Sequence, residues 1–298
     1  MNYTKWLNKN TEDLKGKTVA VTGSTGGIGR HLCTFLASLG ADLILVDRNP
    51  SLSAEHCESL TSRFPEISVR CITLDLEDVC EADKVCDKLT GIDVFIHNAG
   101  AYSIPRHKCT TGYGNVFQIN FATPYYMIKK LLPSLRARHG KVVVVGSIAH
   151  NYSVIDESDV DFETRSAASK VYGNAKRFLM FALYELFKGE TDVTLSVCHP
   201  GITFTNITAH YPKLIFAVIK HPMKVIFMKP KTAALSILKG VFDYTEHSAW
   251  IGPQLFDVWG LPNKKVLRTC KGCEIEKIAG IAEDVFERCK NTVNTTEK

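Results

Sequence analysis

The chain has 298 residues, of which 45% are hydrophobic and 22% charged, and its formal net charge is +5. This length allows one large domain or two small ones, and the mild charge does not indicate a nucleic-acid partner. No apolar run has the length of a membrane span, and the polar stretch 1–17 is unlike a secretion signal. We therefore expect a cytoplasmic globular protein.

Ten cysteines are spread along the chain rather than framed at short intervals. In a chain of this size, that distribution predicts reduced thiols. Cys270 and Cys273 form the one CxxC pair, and neither a second pair nor a histidine lies near them in the sequence. We interpret this pair as incidental thiols rather than a zinc or redox site, and we predict no metal.

Short apolar, β-branched runs alternate with amphipathic stretches through the first two thirds of the chain. The alternation predicts an α/β fold, a Rossmann-type doubly wound parallel sheet with helices on both faces. We expect a single domain, 1–298, that is elaborated from about residue 202 onward. The predicted strands are Thr18–Val21, Leu43–Val46, Val69–Leu74, Val94–Ile96, Lys141–Val145 and Val193–Val197, and the predicted helices cover 27–39, 51–63, 78–89, 113–138 and 166–187.

The first strand runs into a glycine-rich turn, and a helical pattern follows it. Glycines let the backbone turn tightly and approach a pyrophosphate, while the helix start presents free N–H groups and the positive end of its dipole. The pattern predicts a dinucleotide site, although a glycine-rich turn without a ligand has the same sequence. The expected cofactor contacts here are Gly23, Ser24, Thr25, Gly27, Ile28 and Gly29.

The second and third strands each end in an acid. Asp47, roughly 20 residues past the glycine loop, is placed to bond an adenosine ribose and to repel a 2′-phosphate, whereas Arg48 beside it would attract that phosphate. The acid stands at the strand tip, so we favour NAD(H) over NADP(H). Asp75 and Leu76 are expected at the adenine edge, and Asp75 has a second possible role as the N-cap of the next helix.

The fourth strand ends in Asn98-Ala99-Gly100, whose small residues let the backbone pass under the ribose of the cofactor. Together with the glycine loop, this tripeptide resembles the short-chain dehydrogenase/reductase family over about residues 16–205. The resemblance implies a Rossmann fold, a nicotinamide cofactor, a homo-oligomer and a catalytic Asn-Ser-Tyr-Lys set. That set falls on Asn120, Ser147, Tyr172 and Lys176, of which the last two would also contact the cofactor.

The Tyr-xxx-Lys spacing occurs at Tyr125, Tyr126 and Tyr172, but only Tyr172 follows Ser147 and opens a long helix pattern. We expect the first two to be ordinary surface and core positions. Residues four apart share a helix face, so Lys176 should lie beside the Tyr172 ring. Lowering a phenol pKa by about three units takes roughly 4 kcal/mol, which one ammonium at about 4 Å supplies in a partly screened site.

This chemistry gives each member of the set a role. Ser147 would hold the substrate oxygen while Tyr172 passes the proton and the nicotinamide passes the hydride. The family resemblance assigns Asn120 a bound water that connects Lys176 to solvent. The resemblance also places the turn after the sixth strand at the nicotinamide, with contacts from Pro200, Gly201, Thr203 and Thr205. We interpret His199 in that turn as a structural residue rather than a proton carrier.

The long spacing between Ser147 and Tyr172 resembles the retinol-dehydrogenase-like branch, whose members act on hydrophobic alcohols and ketones. Pro212–Lys239 is rich in large apolar residues and would cross the open end of the active site, so we expect it to cover a hydrophobic substrate. Its lysines would also suit an anionic membrane surface, although core-packed helices with solvated lysines fit slightly better. The predicted division is a core over 16–205 and a substrate lid with C-terminal elements over 206–298.

The sequence thus predicts an NAD(P)-dependent oxidoreductase that interconverts a hydrophobic alcohol and its ketone or aldehyde. One alternative is a catalytically silent, nucleotide-sensing protein of the same fold, which the four filled catalytic positions disfavour. Another is a non-redox epimerase or dehydratase that retains its nicotinamide. Such enzymes usually carry a larger C-terminal substrate domain than this chain offers.

Overall fold

Eight strands form one sheet in the computed structural model, which describes residues 3–203, 227–246, 248–267 and 272–296. In chain order the strands are β1 Thr18–Thr22, β2 Asp42–Asp47, β3 Val69–Thr73, β4 Val94–His97, β5 Lys141–Val145, β6 Thr194–Cys198, β7 Ala249–Leu255 and β8 Trp259–Val266. Their order across the sheet is β3-β2-β1-β4-β5-β6-β7-β8. The strands β1 to β7 pair in parallel, and β8 runs antiparallel to β7.

The six strands predicted from the sequence lie within one residue of their observed bounds. Both faces of the sheet are covered, so nearly every side chain of β1, β2 and β5 is buried. Continuous apolar, β-branched runs are typical of strands buried in this way. The sheet order reverses between β1 and β4, which opens a crevice at the carboxyl ends of these strands. The predicted fold class is confirmed.

Helices cover both faces of this sheet. They are α1 Tyr3–Asn10, α2 Gly27–Ser38, α3 Pro50–Arg63, α4 Val79–Lys88, α5 Asn115–Phe117, α6 Thr123–Arg136, α7 Ala168–Leu186, α8 Pro230–Phe242 and α9 Gly272–Thr296. A π-helical turn, Gln118–Ala122, joins α5 to α6, and a 3₁₀ turn, Ile148–Tyr152, follows β5. One apolar core holds residues of α4, α6, α7 and α9, and a second, on the other face, holds residues of α1, α2 and α8.

The predicted substrate lid, Pro212–Lys239, needs a correction in its last part. Residues 204–226 lie outside the described residues, but the chain from Pro230 onward forms α8. Ala233, Leu235 and Leu238 of this helix are completely buried against α2 and the sheet. Their apolar side chains fill the core, so this part of the segment does not cover a substrate.

None of the helices in the described ranges combines the length and the apolar character that a membrane crossing requires.

Candidate active site and cofactor cleft

The glycine loop after β1 takes a shape that larger residues would disrupt. Gly23 has a φ of +69°, and a Cβ atom on it would lie 2.8 Å from the Cα of Ala99. A Cβ on Gly29 would lie 2.1 Å from the carbonyl oxygen of Gly23. These close approaches bring the start of α2 and the end of β4 against the loop, which leaves bare backbone where a pyrophosphate would bind.

A cleft of about 370 Å³ opens along this loop. Twelve of the predicted cofactor contacts line it: Gly23, Thr25, Gly27, Ile28, Gly29, Asp47, Arg48, Asp75, Leu76, Asn98, Ala99 and Gly100. The sequence argument missed seven further lining residues, which are Thr22, Gly26, Val46, Asn49, Leu74, Ala101 and Ile119. Ser24 does not line the cleft because its side chain is completely buried.

Asp47, at the tip of β2, is held by protein donors. Its Oδ2 accepts hydrogen bonds from the hydroxyls of Ser24, at 2.5 Å, and Ser53, at 3.1 Å. Its Oδ1 accepts from the backbone N–H of Thr25 at 3.1 Å and from the Thr25 hydroxyl at 3.0 Å. Four donors occupy the four lone-pair sites of the carboxylate, so Asp47 shapes the glycine loop and has no acceptor left for a ribose hydroxyl.

Two arginines lie near the same end of the cleft. Arg48 is exposed and lines the cleft. Arg30 donates from Nε to the carbonyl of Thr25 at 3.2 Å, and its Nη1 lies 3.4 Å from Glu55. Arg48 therefore supplies a cationic side chain that lines the cleft at this end.

The tripeptide after β4 fastens that strand to β1. Asn98 donates from its side-chain amide to the carbonyls of Thr22 and Gly23, at 3.2 and 2.9 Å. The Thr22 hydroxyl accepts the backbone N–H groups of Asn98 and Ala99, both at 3.1 Å. The two loops that border the middle of the cleft are thus held to each other.

Asp75 is not the cap of the helix that follows it. The N-cap of α4 is Asp78, whose Oδ1 accepts from Cys80 and Glu81. The Asp75 side chain instead accepts the backbone N–H of Glu77 at 3.1 Å and closes the turn before the helix.

Ser147 and Tyr172 are in direct contact with each other. Ser147 follows β5, and its hydroxyl is hydrogen-bonded to the Tyr172 phenol. One turn further along α7, Lys176 lies on the same face, with its Nζ 5.7 Å from the centre of the Tyr172 ring. The nitrogen donates to the carbonyl of Val145 at 2.9 Å. The structure therefore brings Ser147, Tyr172 and Lys176 together, as the sequence predicted.

Burial controls the acid–base properties of this pair. It raises the pKa of Tyr172 to about 12, even though the Ser147 hydrogen bond acts in the opposite direction. It lowers the pKa of Lys176 to about 7. The phenol pKa is thus raised, not lowered by Lys176 as the sequence argument expected. At neutral pH the phenol keeps its proton, while the amine one turn away is able to take one up.

Asn120 lies in the π-helical turn between α5 and α6. Its amide nitrogen donates to the carbonyls of Ala101 and Val116, both at 2.8 Å. A Cβ on Gly100 would lie 2.8 Å from Asn120 Oδ1 and 3.6 Å from Lys176 Nζ. Asn120 and Lys176 thus border the same residue of the cleft. Single π-helical turns of this kind are frequent at functional sites.

A glycine sets the distance between Ser147 and Tyr172. A Cβ atom on Gly173 would lie 2.1 Å from the carbonyl oxygen of Ala149, in the turn that follows Ser147. The start of α7 therefore packs directly on the backbone of that turn.

The other two Tyr-Lys pairs lie on α6 and contact carboxylates. The hydroxyl of Tyr125 donates to Glu283 at 2.7 Å, and Lys129 forms an ion pair with the same carboxylate. Tyr126 and Lys130 both bond Asp83, at 2.5 Å each. Burial and these acids raise the pKa of both phenols. These tyrosines are unsuited to act as bases.

The predicted nicotinamide turn is described only as far as Thr203, and Thr205 lies outside the described residues. Pro200 and Gly201 are buried, and Thr203 pairs with Met228 in a single parallel β-bridge. None of the three lines the cleft that follows the glycine loop.

His199 is stacked on Trp250, with ring centres 4.8 Å apart, and its Nε2 bonds the carbonyl of Asp257 at 3.0 Å. Burial lowers the pKa of His199 to about 4, so it is neutral at physiological pH. These contacts fit a structural residue.

Two side chains near the site carry no signal in the sequence. The ring of Tyr102 meets that of Tyr172 edge-on, with centres 5.4 Å apart and planes at 89°. Ser53 belongs to α3, and its bond to Asp47 depends on how that helix packs against β2. Neither residue belongs to a motif, so only the tertiary structure identifies them.

Comparison with known proteins gives the family. The sequence model of the short chain dehydrogenases matches residues 17–213. Retinol dehydrogenase 14 of Homo sapiens is 29% identical in an alignment 219 residues long that covers 66% of this chain and 65% of that protein. Short-chain dehydrogenase TIC 32 A, chloroplastic, of Brassica napus is 26% identical in an alignment 215 residues long that covers 66% of this chain and 67% of that one. The predicted resemblance to the retinol-dehydrogenase-like branch is confirmed, at modest identity.

Solved structures share the fold. A protein from Mycobacterium paratuberculosis superimposes with a TM-score of 0.72 at 21% identity and 95% coverage of both chains. The NADP complex of RhlG from Pseudomonas aeruginosa gives 0.58 at 23% identity, over 77% of this chain and 90% of that one. Since the family model covers well over half of the sequence and the sheet has the matching topology, the chain belongs to the short-chain dehydrogenase family, an NAD(P)-binding family of oxidoreductases.

Proposed function

We propose that this protein interconverts a hydrophobic alcohol and its ketone or aldehyde with NAD(P)(H), using Tyr172 as general acid and base. The observation that carries the proposal is the meeting of the Ser147 hydroxyl, the Tyr172 phenol and the Lys176 amine. The Lys176 amine also lies close to Gly100, which lines the cleft that follows the glycine loop.

Ser147, Tyr172 and Lys176 each have a separate role in the proposed reaction. Bound NAD(P)(H) supplies a hydride to the carbonyl carbon or accepts one from the alcohol carbon. The Ser147 hydroxyl holds the substrate oxygen, and Tyr172 gives that oxygen a proton in reduction and removes it in oxidation. Lys176 stabilises the phenolate, because moving the shared proton from the phenol to the amine leaves an ammonium beside a negative ring oxygen.

The substrate side of Tyr172 supports an apolar ligand. The Tyr102 ring stands edge-on to the Tyr172 ring. Ile104 and Tyr172 both pack against the buried side chains of Val116 and Phe162. A ligand at the phenol would therefore meet aromatic and aliphatic groups, which favour a hydrophobic alcohol or carbonyl compound.

For the cofactor we propose a preference for NADP(H), which departs from the expectation drawn from the sequence. That expectation needed free acceptors on Asp47, and Ser24, Thr25 and Ser53 occupy them. Arg48, exposed at the same end of the cleft, supplies a guanidinium for a 2′-phosphate. We expect Arg48→Ala to lower kcat/KM for NADP(H) at least tenfold and to leave kcat/KM for NAD(H) within about twofold of the wild type. The difference corresponds to the loss of one charge-assisted hydrogen bond to the 2′-phosphate.

The test is a screen of the purified protein with straight-chain primary alcohols and the matching aldehydes, followed through the absorbance of the reduced nicotinamide. We expect turnover whose kcat/KM rises with chain length by up to about fourfold per methylene. A flat or falling series contradicts the hydrophobic substrate. Cofactor binding without turnover of any substrate would support the nucleotide-sensing alternative.

A further inference from the structure

Three potential metal ligands from different parts of the sequence meet just outside the cofactor cleft. Glu77, His107 and Cys109 each offer one ligand atom, and these atoms lie within 4.8 Å of one another. Glu77 follows the cleft-lining residues Asp75 and Leu76 directly. His107 and Cys109 belong to the loop after β4, which begins with cleft-lining residues as well.

The backbone of that loop places the two ligands on one side. Lys108, between them, forms an antiparallel β-bridge with Gly114. The backbone N–H of Cys109 bonds the carbonyl of Tyr113 at 2.8 Å, and that of Asn115 bonds the carbonyl of His107 at 2.9 Å. In such extended pairing, residues two apart point the same way. The loop therefore holds the imidazole and the thiol together through its own hydrogen bonds.

The donors suit one metal in particular. His107 Nε2 lies 2.6 Å from Glu77 Oε2. Burial and the carboxylates of Glu77 and Asp75 raise the pKa of the Cys109 thiol to about 12, so its thiolate forms only beside a bound cation. A tetrahedral zinc ion holds its ligand atoms about 3.3–3.8 Å apart, so the three atoms need to move by only about 1 Å. Soft sulfur, imidazole and carboxylate together favour Zn²⁺ over the hard cations Mg²⁺ and Ca²⁺.

We propose that Glu77, His107 and Cys109 bind one Zn²⁺ ion, with the fourth position open to water. The ion ties the loop after β3 to the loop after β4 at the adenine end of the cleft.

A buried amide lies beside the imidazole and has to turn when zinc binds. A metal-bound histidine usually donates its second ring N–H to a neighbouring oxygen. Asn115 is 1% exposed, and its Nδ2 lies 3.2 Å from His107 Nδ1 and 3.0 Å from the carbonyl of Pro105. Its Oδ1 is buried and has no hydrogen-bond partner within the described ranges. Zinc binding at Nε2 therefore requires a half-turn of this amide, which gives up the bond to Pro105 for one between Oδ1 and the Nδ1–H.

The experiment is a titration of the full-length chain, first treated with a chelator, with Zn²⁺ in competition with a chromophoric chelator. Cobalt is the second probe, because Co²⁺ bound to a thiolate gives a charge-transfer absorption. We expect one Zn²⁺ per chain, a higher unfolding midpoint with zinc, and a thiolate–cobalt band. Cys109→Ser and His107→Gln should each weaken zinc binding at least tenfold, and Cys109→Ser should abolish the band.

Two matched controls carry the same chemical changes elsewhere. Cys71→Ser removes an exposed thiol on the edge strand β3, and His139→Gln removes an exposed imidazole beside Asp192. Both controls should bind zinc like the wild type. The proposal is wrong if the wild type binds no stoichiometric zinc, or if Cys109→Ser and His107→Gln, folded by circular dichroism, bind it as tightly as the controls. None of these readouts involves turnover, so their failure is distinct from failure of the proposed function.

Discussion

Two Tyr-Lys pairs in this protein have the same spacing and opposite surroundings. On α7, Tyr172 is bonded to the neutral hydroxyl of Ser147, and Lys176 is buried with a carbonyl as its bonding partner. On α6, Tyr125 and Lys129 share the carboxylate of Glu283. The spacing puts an amine near a phenol in both places. The third group decides whether the phenol can lose its proton.

The carboxylate has two effects on the α6 pair. Glu283 accepts the Tyr125 proton in a hydrogen bond and thereby favours the neutral phenol, and it balances the charge of Lys129. On α7, none of the described residues places a carboxylate at Lys176, so its ammonium meets the negative charge that forms on Tyr172. The difference between the pairs is therefore electrostatic and predicts different responses to the same substitutions.

The largest expected effect comes from removing the phenol. Tyr172→Phe should lower kcat by about 10²–10⁴-fold, because the ring remains and the proton carrier is lost. Cofactor affinity should change little. Steady-state kinetics and fluorescence titration with the reduced cofactor measure the two quantities. Tyr125→Phe is the control and should retain at least half of the activity. A Tyr172→Phe rate above a tenth of the wild type would contradict the assignment.

Removing the amine should change the pH dependence. For alcohol oxidation, wild-type kcat/KM should rise with pH and level off above about 7, where Lys176 is neutral and can take up the phenol proton as Tyr172 removes one from the alcohol. In Lys176→Met only Tyr172 titrates, with a pKa of about 12, so the rise should continue through pH 9 and the loss at pH 7 should be about 10²-fold or more.

The matched control for the amine is Lys129→Met, whose profile should superimpose on that of the wild type. If Lys176→Met also levels off near pH 7, the group that titrates there is not Lys176.

The serine should matter less than the tyrosine. Ser147→Ala removes the hydroxyl that holds the substrate oxygen and bonds Tyr172, and we expect kcat to fall about 10²-fold, as for the loss of one hydrogen-bond donor in other active sites. Ser158→Ala is the control, since that hydroxyl bonds Asp156 in an exposed loop. Equal rates for the two variants would place the substrate oxygen elsewhere.

The smallest effect tests the α6 pair as a structural contact. Tyr125→Phe removes one hydrogen bond to Glu283, which is half-exposed, so the free energy of unfolding should fall by about 1 kcal/mol. Urea denaturation measures it. A tenfold loss of activity in this variant would show that the two pairs are not as different as their contacts indicate.

The sequence was sufficient for the features that depend on local pattern. The six strands, the glycine loop and the convergence of Ser147, Tyr172 and Lys176 followed from periodicity and from motifs in a family order. The saturation of Asp47 did not, because it depends on where the packing of α3 places Ser53. Glu283 lies 158 residues beyond its partner Tyr125, so no local pattern could connect them.

The β7–β8 hairpin was missed for a different reason. Pro253 and Pro262 face each other across it, and prolines inside apolar runs argue against strands. The hairpin tolerates Pro262 because β8 forms the edge of the sheet, where no further strand needs the missing N–H group. It tolerates Pro253 because β7 pairs with β6 at Ile251, before the proline is reached.

Gly173 gives the active site a property that no hydrogen bond could give it. Because any side chain there would collide with the carbonyl of Ala149, the gap between the serine turn and the tyrosine helix is fixed by contact between backbones. Such a contact does not weaken gradually with pH or salt. The alignment of the Tyr172 phenol with the Ser147 hydroxyl therefore depends on the space available at position 173. That space holds the hydrogen atom of a glycine and no larger side chain.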